Sequence, residues 1–306
     1  MTPQNLEFSI VIPTYNRPER LQQCLMSIGV LDYPRDRFEV IVVDDGSQMS
    51  LEPVVDRFES QFSLRLMRQS NAGPASARNA GAAVARGHYL VFTDDDCQPA
   101  KDWLTALAEA LEKCPDTLVG GHTINALPEN LYSTASQLLI DYLYDYYNQC
   151  QEEVTFFASN NFAVPRTSYQ TIGGFDTSFP LAAGEDREFC DRWRHHQFKM
   201  CYAPAMQINH THTLTLKSFW RQHFNYGRGA FYFHKIRSQR QAEPIKVEPL
   251  SFYINLLTYP GLQSLGWRAP FLSGLFLLSQ IANVVGFFWE RYQQTSLPPT
   301  PTSATS

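Results

Sequence analysis

Three carboxylates stand side by side at Asp94, Asp95 and Asp96, straight after the apolar run "HYLVFT". Adjacent Asp residues repel, and Asp is a poor former of both helix and strand. Two chemistries account for such a triplet. One is a solvated turn, in which the short side chains bond nearby amides. The other is a divalent cation: hard cations take oxygen ligands, and a bound ion reverses the local repulsion. Related groups recur along the chain. Asp44-Asp45 closes the run "FEVIVV", Glu185-Asp186 opens "EDREFCDRWR", and His210 and His212 alternate in "INHTHT". A positioned carboxylate can take a proton from a reacting hydroxyl. Two His residues at strand spacing share one face, where imidazole suits Mn²⁺ better than Mg²⁺.

The elements that must position these groups alternate. "FSIVIPTYN" begins as a buried strand closed by Pro13, and "RPERLQQCLMSIGVL" has apolar residues at helical spacing. "FEVIVVDDGS" is a second strand, "LEPVVDRF" a second helix and "LRLMRQ" a third strand. "NAGPASARNAGAAVARG" is an Ala-rich helix, and "HYLVFT" the fourth strand. This order predicts parallel strands with helices on both faces. Tyr15, Asp44-Asp45 and Asp94 to Asp96 all follow strand ends. One sheet edge therefore collects an aromatic ring and the carboxylates, where open α/β sheets bind nucleotides. A helix is expected from Lys101 to Lys113 and another from Glu185 to Arg194, whose acidic first turn suits a helix N-terminus. Gly173-Gly174 lets backbone approach a ligand closely or makes a tight turn.

The ordered segments "VIPTYNRPERLQQCL", "VVDDGS", "NAGPASARNAG", "FTDDDC", "NNFAVPR", "GGFDTSF", "GEDREFCDRW" and "HTH" resemble family 2 glycosyltransferases of the GT-A fold. The resemblance runs over roughly residues 8 to 230. It implies a Rossmann-like α/β fold with a mostly parallel central sheet and an inverting transfer from a nucleotide-diphosphate sugar to a glycan or lipid-linked acceptor. By the same resemblance Pro13, Tyr15 and Asp45 line the nucleotide base, and Arg78 pairs with the diphosphate or the base edge. Asp94 bonds the ribose with Asp95 beside it, and Asp96 holds Mg²⁺ or Mn²⁺. His210, ahead of His212, is the further metal ligand. Asp186 is the general base, with Glu185 as its neighbour and rival. Asn161, Gly173, Gly174 and Phe175 fall on the acceptor side. The Gln-x-x-Arg-Trp signature of processive synthases does not occur in the chain, which implies single additions.

Two rival readings follow from the same groups. A sugar nucleotidyltransferase would carry a Gly-rich, basic loop after the first strand, where this chain has "PTYNRPER". A non-catalytic sugar-nucleotide-binding scaffold would not need the carboxylates at Asp94, Asp96 and Asp186. A net charge of −5 argues against nucleic acid as a partner. Six scattered cysteines without CxxC spacing, and no basic-then-apolar pattern in "MTPQNLEF", lead us to expect reduced thiols and a catalytic part in the cytosol.

The expected organisation is a catalytic domain over residues 1–240, with a nucleotide half to about residue 100 and an acceptor half after it. An apolar helical segment follows over 241–294, then a disordered Pro/Ser/Thr-rich tail over 295–306. Ala269 to Trp289 is uncharged and long enough to span about 30 Å as a helix. Ser273, Ser279, Gln280 and Asn283 fall on one side of it, as in a helix lying in a membrane or packed on a partner. Association with the cytoplasmic side of a membrane is expected. Spanning, interfacial and core placements all remain open at this level.

Overall fold

The computed structural model describes residues 6–148, 154–179, 183–241, 248–263 and 265–296. The expected tail falls outside these after residue 296. Two compact units divide at Leu214/Thr215. This division lies earlier than the boundary expected near residue 240.

The first unit runs β1 (Phe8–Thr14), α1 (Pro18–Gly29), β2 (Phe38–Asp44), α2 (Glu52–Val55), β3 (Ser63–Arg68), α3 (Pro74–Val84), β4 (Tyr89–Thr93) and β5 (Cys97–Pro99). It continues with α4 (Trp103–Lys113), β6 (Leu118–Asn125), α5 (Leu131–Tyr147), β7 (Asn161–Pro165), α6 (Arg166–Ile172), α7 (Glu185–His195) and β8 (Met200–His210). One sheet has the order β3-β2-β1-β4-β7-β6-β8-β5. Every residue of β1 and β2 is buried, as expected of strands covered on both faces. Alternate residues serve opposite cores. Ile10 and Ile12 pack with Leu21, Leu25 and Trp103. Val11 joins Ala77, Phe189 and Trp193.

Among the described residues four of the seven strand pairings are parallel and three antiparallel. Pairing is parallel from β3 through β4, but β7 enters antiparallel between β4 and β6. β6 pairs parallel with β8, whose end pairs antiparallel with β5. The strand alternation that predicts parallel pairing stops at the carboxylate triplet, and β7 follows α5 without a crossover signal in the sequence. β5 has only three residues, too few for a periodic pattern.

The second unit holds α8 (Leu216–Gln241), α9 (Leu250–Leu262) and α10 (Ala269–Ser296), with one 3₁₀ turn at Gly266–Arg268. Helices α8 and α10 approach to backbone contact. A Cβ on Gly227 would lie 1.9 Å from Asn283 O, and one on Gly286 would lie 2.0 Å from Phe224 O. Glu290 accepts from Arg228 Nε at 2.6 Å and from Tyr232 Oη at 2.8 Å. Ser279 and Phe276 on α10 are buried, while Phe271, Leu277, Ile281, Phe288 and Trp289 are exposed. Leu272 and Leu275 are buried with them, so the helix is apolar on its packed side and apolar again on its exposed side, unlike a soluble amphipathic helix whose exposed face is polar.

Candidate active site

The carboxylate triplet begins one residue after β4 ends, at the carboxyl edge of the parallel strands. Asp95 and Asp96 are only 2% and 7% exposed, which rules out a solvated turn. Their repulsion is offset by arginines and by neutral hydrogen-bond donors from neighbouring elements. Asp95 accepts from Thr14 Oγ1 at 2.8 Å and Arg17 Nη1 at 3.2 Å. Asp96 pairs with Arg20 Nη1 at 2.8 Å and His210 Nε2 at 3.3 Å. Asp94, which is more exposed, accepts from Arg78 Nη2 at 2.7 Å.

β5 explains the meeting of Asp96 and His210. Cys97 stands opposite His210 in the β5–β8 ladder, and Thr211 N donates to Asp96 O at 2.8 Å. Strand β8 ends at His210, so His212 lies just beyond it, with its ring centroid 5.1 Å from that of His210. Burial and the neighbouring His210 push His212 down to about 4, so its imidazole is neutral and able to ligate. Burial alone would raise Asp96, but its hydrogen bond to His210 and the positive field of that ring and Arg17 hold it well below the usual carboxylate range. Burial and Asp96 push Asp95 up to about 6.

Ligand atoms of Asp96, Cys97 and His210 lie within 4.8 Å of one another. The donor set fits a hard or borderline cation through the Asp96 carboxylate and the His210 imidazole. Burial raises the Cys97 thiol well above its ordinary value, which keeps the proton on sulfur and takes it out of such a set.

Arg78 joins this edge to α7. Its guanidinium is buried, bonds Asp94, and reaches Glu185 Oε1 at 3.4 Å. Burial first, then Asp186, pushes Glu185 up to about 7. Burial also raises Asp186, which accepts from Arg187 N at 2.7 Å and is less buried than Glu185. Two adjacent carboxyls thus hold a proton near neutrality.

The expected nucleotide-side residues gather at the same edge. Pro13 is buried in β1 opposite Val43. Tyr15, just past β1, is 45% exposed and offers a ring face. Asp45 accepts from Gln69 Nε2 at 2.7 Å and from Ala72 N and Gly73 N, both at 2.9 Å. It therefore fixes the loop leading into α3, and with three donors on about four lone-pair positions, one acceptor position remains.

The acceptor-side candidates differ. Asn161 is fully buried and spends its amide on the fold. Its Oδ1 accepts from Trp103 Nε1 at 2.9 Å, and its Nδ2 donates to His122 O at 3.1 Å and Met206 O at 3.0 Å. It bridges the irregularity in the β6–β8 ladder at Gly121/His122. Fully buried, and with both amide hydrogens used, it faces the sheet rather than an acceptor. Gly173 and Gly174 have φ of +84° and +74° and form the turn after α6. Phe175 is buried among Phe92, Phe162 and Phe189. Asn79 fastens this turn, donating to Phe175 O and accepting from Phe175 N, each at 2.8 Å. The tight-turn reading holds for the two glycines. Part of the neighbouring loop, residues 180–182, lies outside the described residues.

Arg17 and Arg20 were not singled out from the sequence. Their signal was present: two Arg residues three apart, at the start of a helix that begins at the carboxyl edge, share a face toward it.

Comparison with known proteins agrees with this architecture. A family model described as glycosyl transferase family 2 matches residues 9–173, more than half of the chain. The chain belongs to that family. A second model, described as the N-terminal domain of galactosyltransferase, matches residues 145–215. Among its relatives, glycosyltransferase AglE of Haloferax volcanii is 34% identical over 116 residues, which is 37% of this chain and 38% of AglE. A chondroitin synthase of Pasteurella multocida is 28% identical over 222 residues, 61% of this chain and 23% of that protein. The chain thus spans well under half the length of either. The mannosyltransferase PcManGT of Pyrobaculum calidifontis, solved with GDP-Man and Mn²⁺, superimposes with a TM-score of 0.65 at 18% identity, over 93% of this chain and 88% of that one. The shared fold is GT-A.

Proposed function

We propose that this chain transfers a sugar with inversion from a nucleotide-diphosphate sugar to a glycan or lipid-linked acceptor, using Mn²⁺ or Mg²⁺ and Asp186 as base. The observation that carries the reading is the bridge Asp94–Arg78–Glu185, which links the carboxylate edge to the helix bearing the candidate base. The PcManGT complex with GDP-Man and Mn²⁺ supports the donor class and the cation.

In this reading Tyr15 stacks on the base and the remaining acceptor position of Asp45 takes a base N–H. Asp94 accepts from the ribose, and Arg78 lends charge toward the diphosphate. Asp96 and His210, with neutral His212 beside them, hold the cation, and their mixed oxygen and nitrogen donors favour Mn²⁺. The cation supplies counter-charge to the departing diphosphate. Asp186 takes the acceptor proton as the acceptor oxygen bonds to the anomeric carbon, on the face opposite the nucleotide. The carbon–oxygen bond to the nucleotide breaks, and its electron pair leaves with the diphosphate. Glu185 is committed to Arg78 and more deeply buried, which supports Asp186 as the base. The outward apolar face of α10 supports attachment to a membrane, and the cytosol as the compartment follows from where sugar nucleotides are made.

The test is nucleotide release from a panel of sugar nucleotides, with acceptor glycans, in Mn²⁺ or EDTA. Release from at least one donor, dependent on metal and lost in Asp96→Ala, is expected. Metal-independent release, or release from none of a broad panel, would sink the proposal.

A further inference from the structure

All four oxygens of Asp95 and Asp96 are engaged by protein groups. Thr14 and Arg17 take Asp95, while His210 and Arg20 take Asp96. Arg17 Nη1 also lies 3.6 Å from Asp96 Oδ2. The carboxylates are nearly buried, but the side chains of Arg17 and Arg20 are 50% and 33% exposed. The two guanidiniums therefore approach the carboxylates from the solvent side.

This arrangement sets a charge conflict. A divalent cation can use Asp96 Oδ2 only by displacing Arg20, and it would then sit beside two fixed positive charges at a few ångströms. A diphosphate reverses the balance. It brings several negative charges to the same place, and guanidinium pairs with phosphate oxygens in bidentate geometry. Both arginines reach the carboxylates through long flexible stems from the start of α1, so exchange of partner needs rotamer changes and no movement of the sheet.

We propose that Arg17 and Arg20 are diphosphate-binding residues that also gate the cation. They hold Asp95 and Asp96 against a lone cation and transfer to the diphosphate when the nucleotide enters. Cation and nucleotide then bind as a coupled pair, each raising the affinity of the other by the same factor. The inference rests on the sugar-nucleotide reading above and goes beyond it by assigning the coupling to two residues outside the metal-binding set.

The test is equilibrium binding to the full chain, with Mn²⁺, UDP and GDP as probes. Free Mn²⁺ is read by electron paramagnetic resonance and nucleotide by calorimetry, with and without EDTA. For the wild type, Mn²⁺ alone binds weakly and tightens about tenfold or more with whichever nucleotide binds, within the usual range of such couplings. Arg20→Gln should move the two ligands in opposite directions. Mn²⁺ alone should bind about tenfold tighter, and the nucleotide in EDTA about tenfold weaker, so that the coupling shrinks. Arg17→Gln should act in the same sense and less on Mn²⁺, because its Asp96 contact is longer. Circular dichroism verifies that each variant is folded. If Arg20→Gln leaves Mn²⁺ affinity unchanged or lowers it while the wild type binds nucleotide, the gate is overturned and the sugar-nucleotide reading survives. If the wild type binds neither nucleotide with or without Mn²⁺, both fall.

Discussion

At the scale of single residues, the proposed mechanism assigns the proton transfer to Asp186, with Glu185 beside it. Asp186→Asn keeps the shape and removes the basicity, so turnover should fall by the general-base factor of about 10²–10⁴ with donor binding nearly unchanged. Single-turnover kinetics beside donor binding would check this. A variant with near-normal turnover moves the role elsewhere. Glu185 makes a separate statement about stability. Its folded-state value, pushed up to about 7 by burial and Asp186, lies above the ordinary 4.5. The fold therefore favours the protonated form. That contribution is complete below about 4.5 and is lost as pH rises through about 7. Glu185→Gln mimics the protonated form at every pH. Thermal melts in EDTA should show little difference from wild type at acid pH and a higher melting temperature for the variant at pH above 7. A gap that does not change with pH would show that Glu185 is not the titrating group.

At the scale of elements, the sheet edge needed two connections that sequence patterns read unequally. The ends of β1, β2 and β4 were legible because fully buried parallel strands are continuous apolar runs closed by polar residues. Those strand ends alone bring Tyr15, Asp45 and Asp94 to Asp96 to one edge. β5 was not legible, since three residues carry no period, and with it went the reason His210 meets Asp96. The glycosyltransferase-like "NNFAVPR" drew attention to Asn161 but not to its task, because a side chain that repairs a ladder irregularity is recognised only once the irregularity is seen. That task is testable. Asn161→Ala leaves Trp103 Nε1, His122 O and Met206 O without their present partner. Each buried group so abandoned costs about 1–3 kcal/mol. Urea unfolding should therefore show a loss of about 3 kcal/mol or more, while an acceptor-contacting Asn161 would lose affinity for acceptor with little change in stability.

At the scale of the whole molecule, the second unit asks what covers its apolar face. Among the described residues one helix is long and apolar enough to cross a membrane. Its inward side is already satisfied by α8, through the Gly227 and Gly286 approaches and the Arg228–Glu290 pair. Cutting the chain near residue 245 would strand α8 without that partner, so the natural division is after Leu214. The outward side carries Leu277, Ile281, Val284, Phe288 and Trp289, each 47% exposed or more. Full burial of such a side chain gains about 1.5–3 kcal/mol, and half of that over five residues still gives firm partitioning into lipid. The full chain should therefore float with phospholipid vesicles and stay with them in high salt, because apolar burial is insensitive to screening. A variant carrying Leu277→Lys, Ile281→Lys and Phe288→Lys keeps the inward contacts and should remain in the soluble fraction. Release of the wild type by salt would instead assign the contact to basic residues on anionic lipid. A wild-type chain that ignores vesicles even at low salt would turn the face into a protein interface, and a lipid-linked acceptor would lose its support.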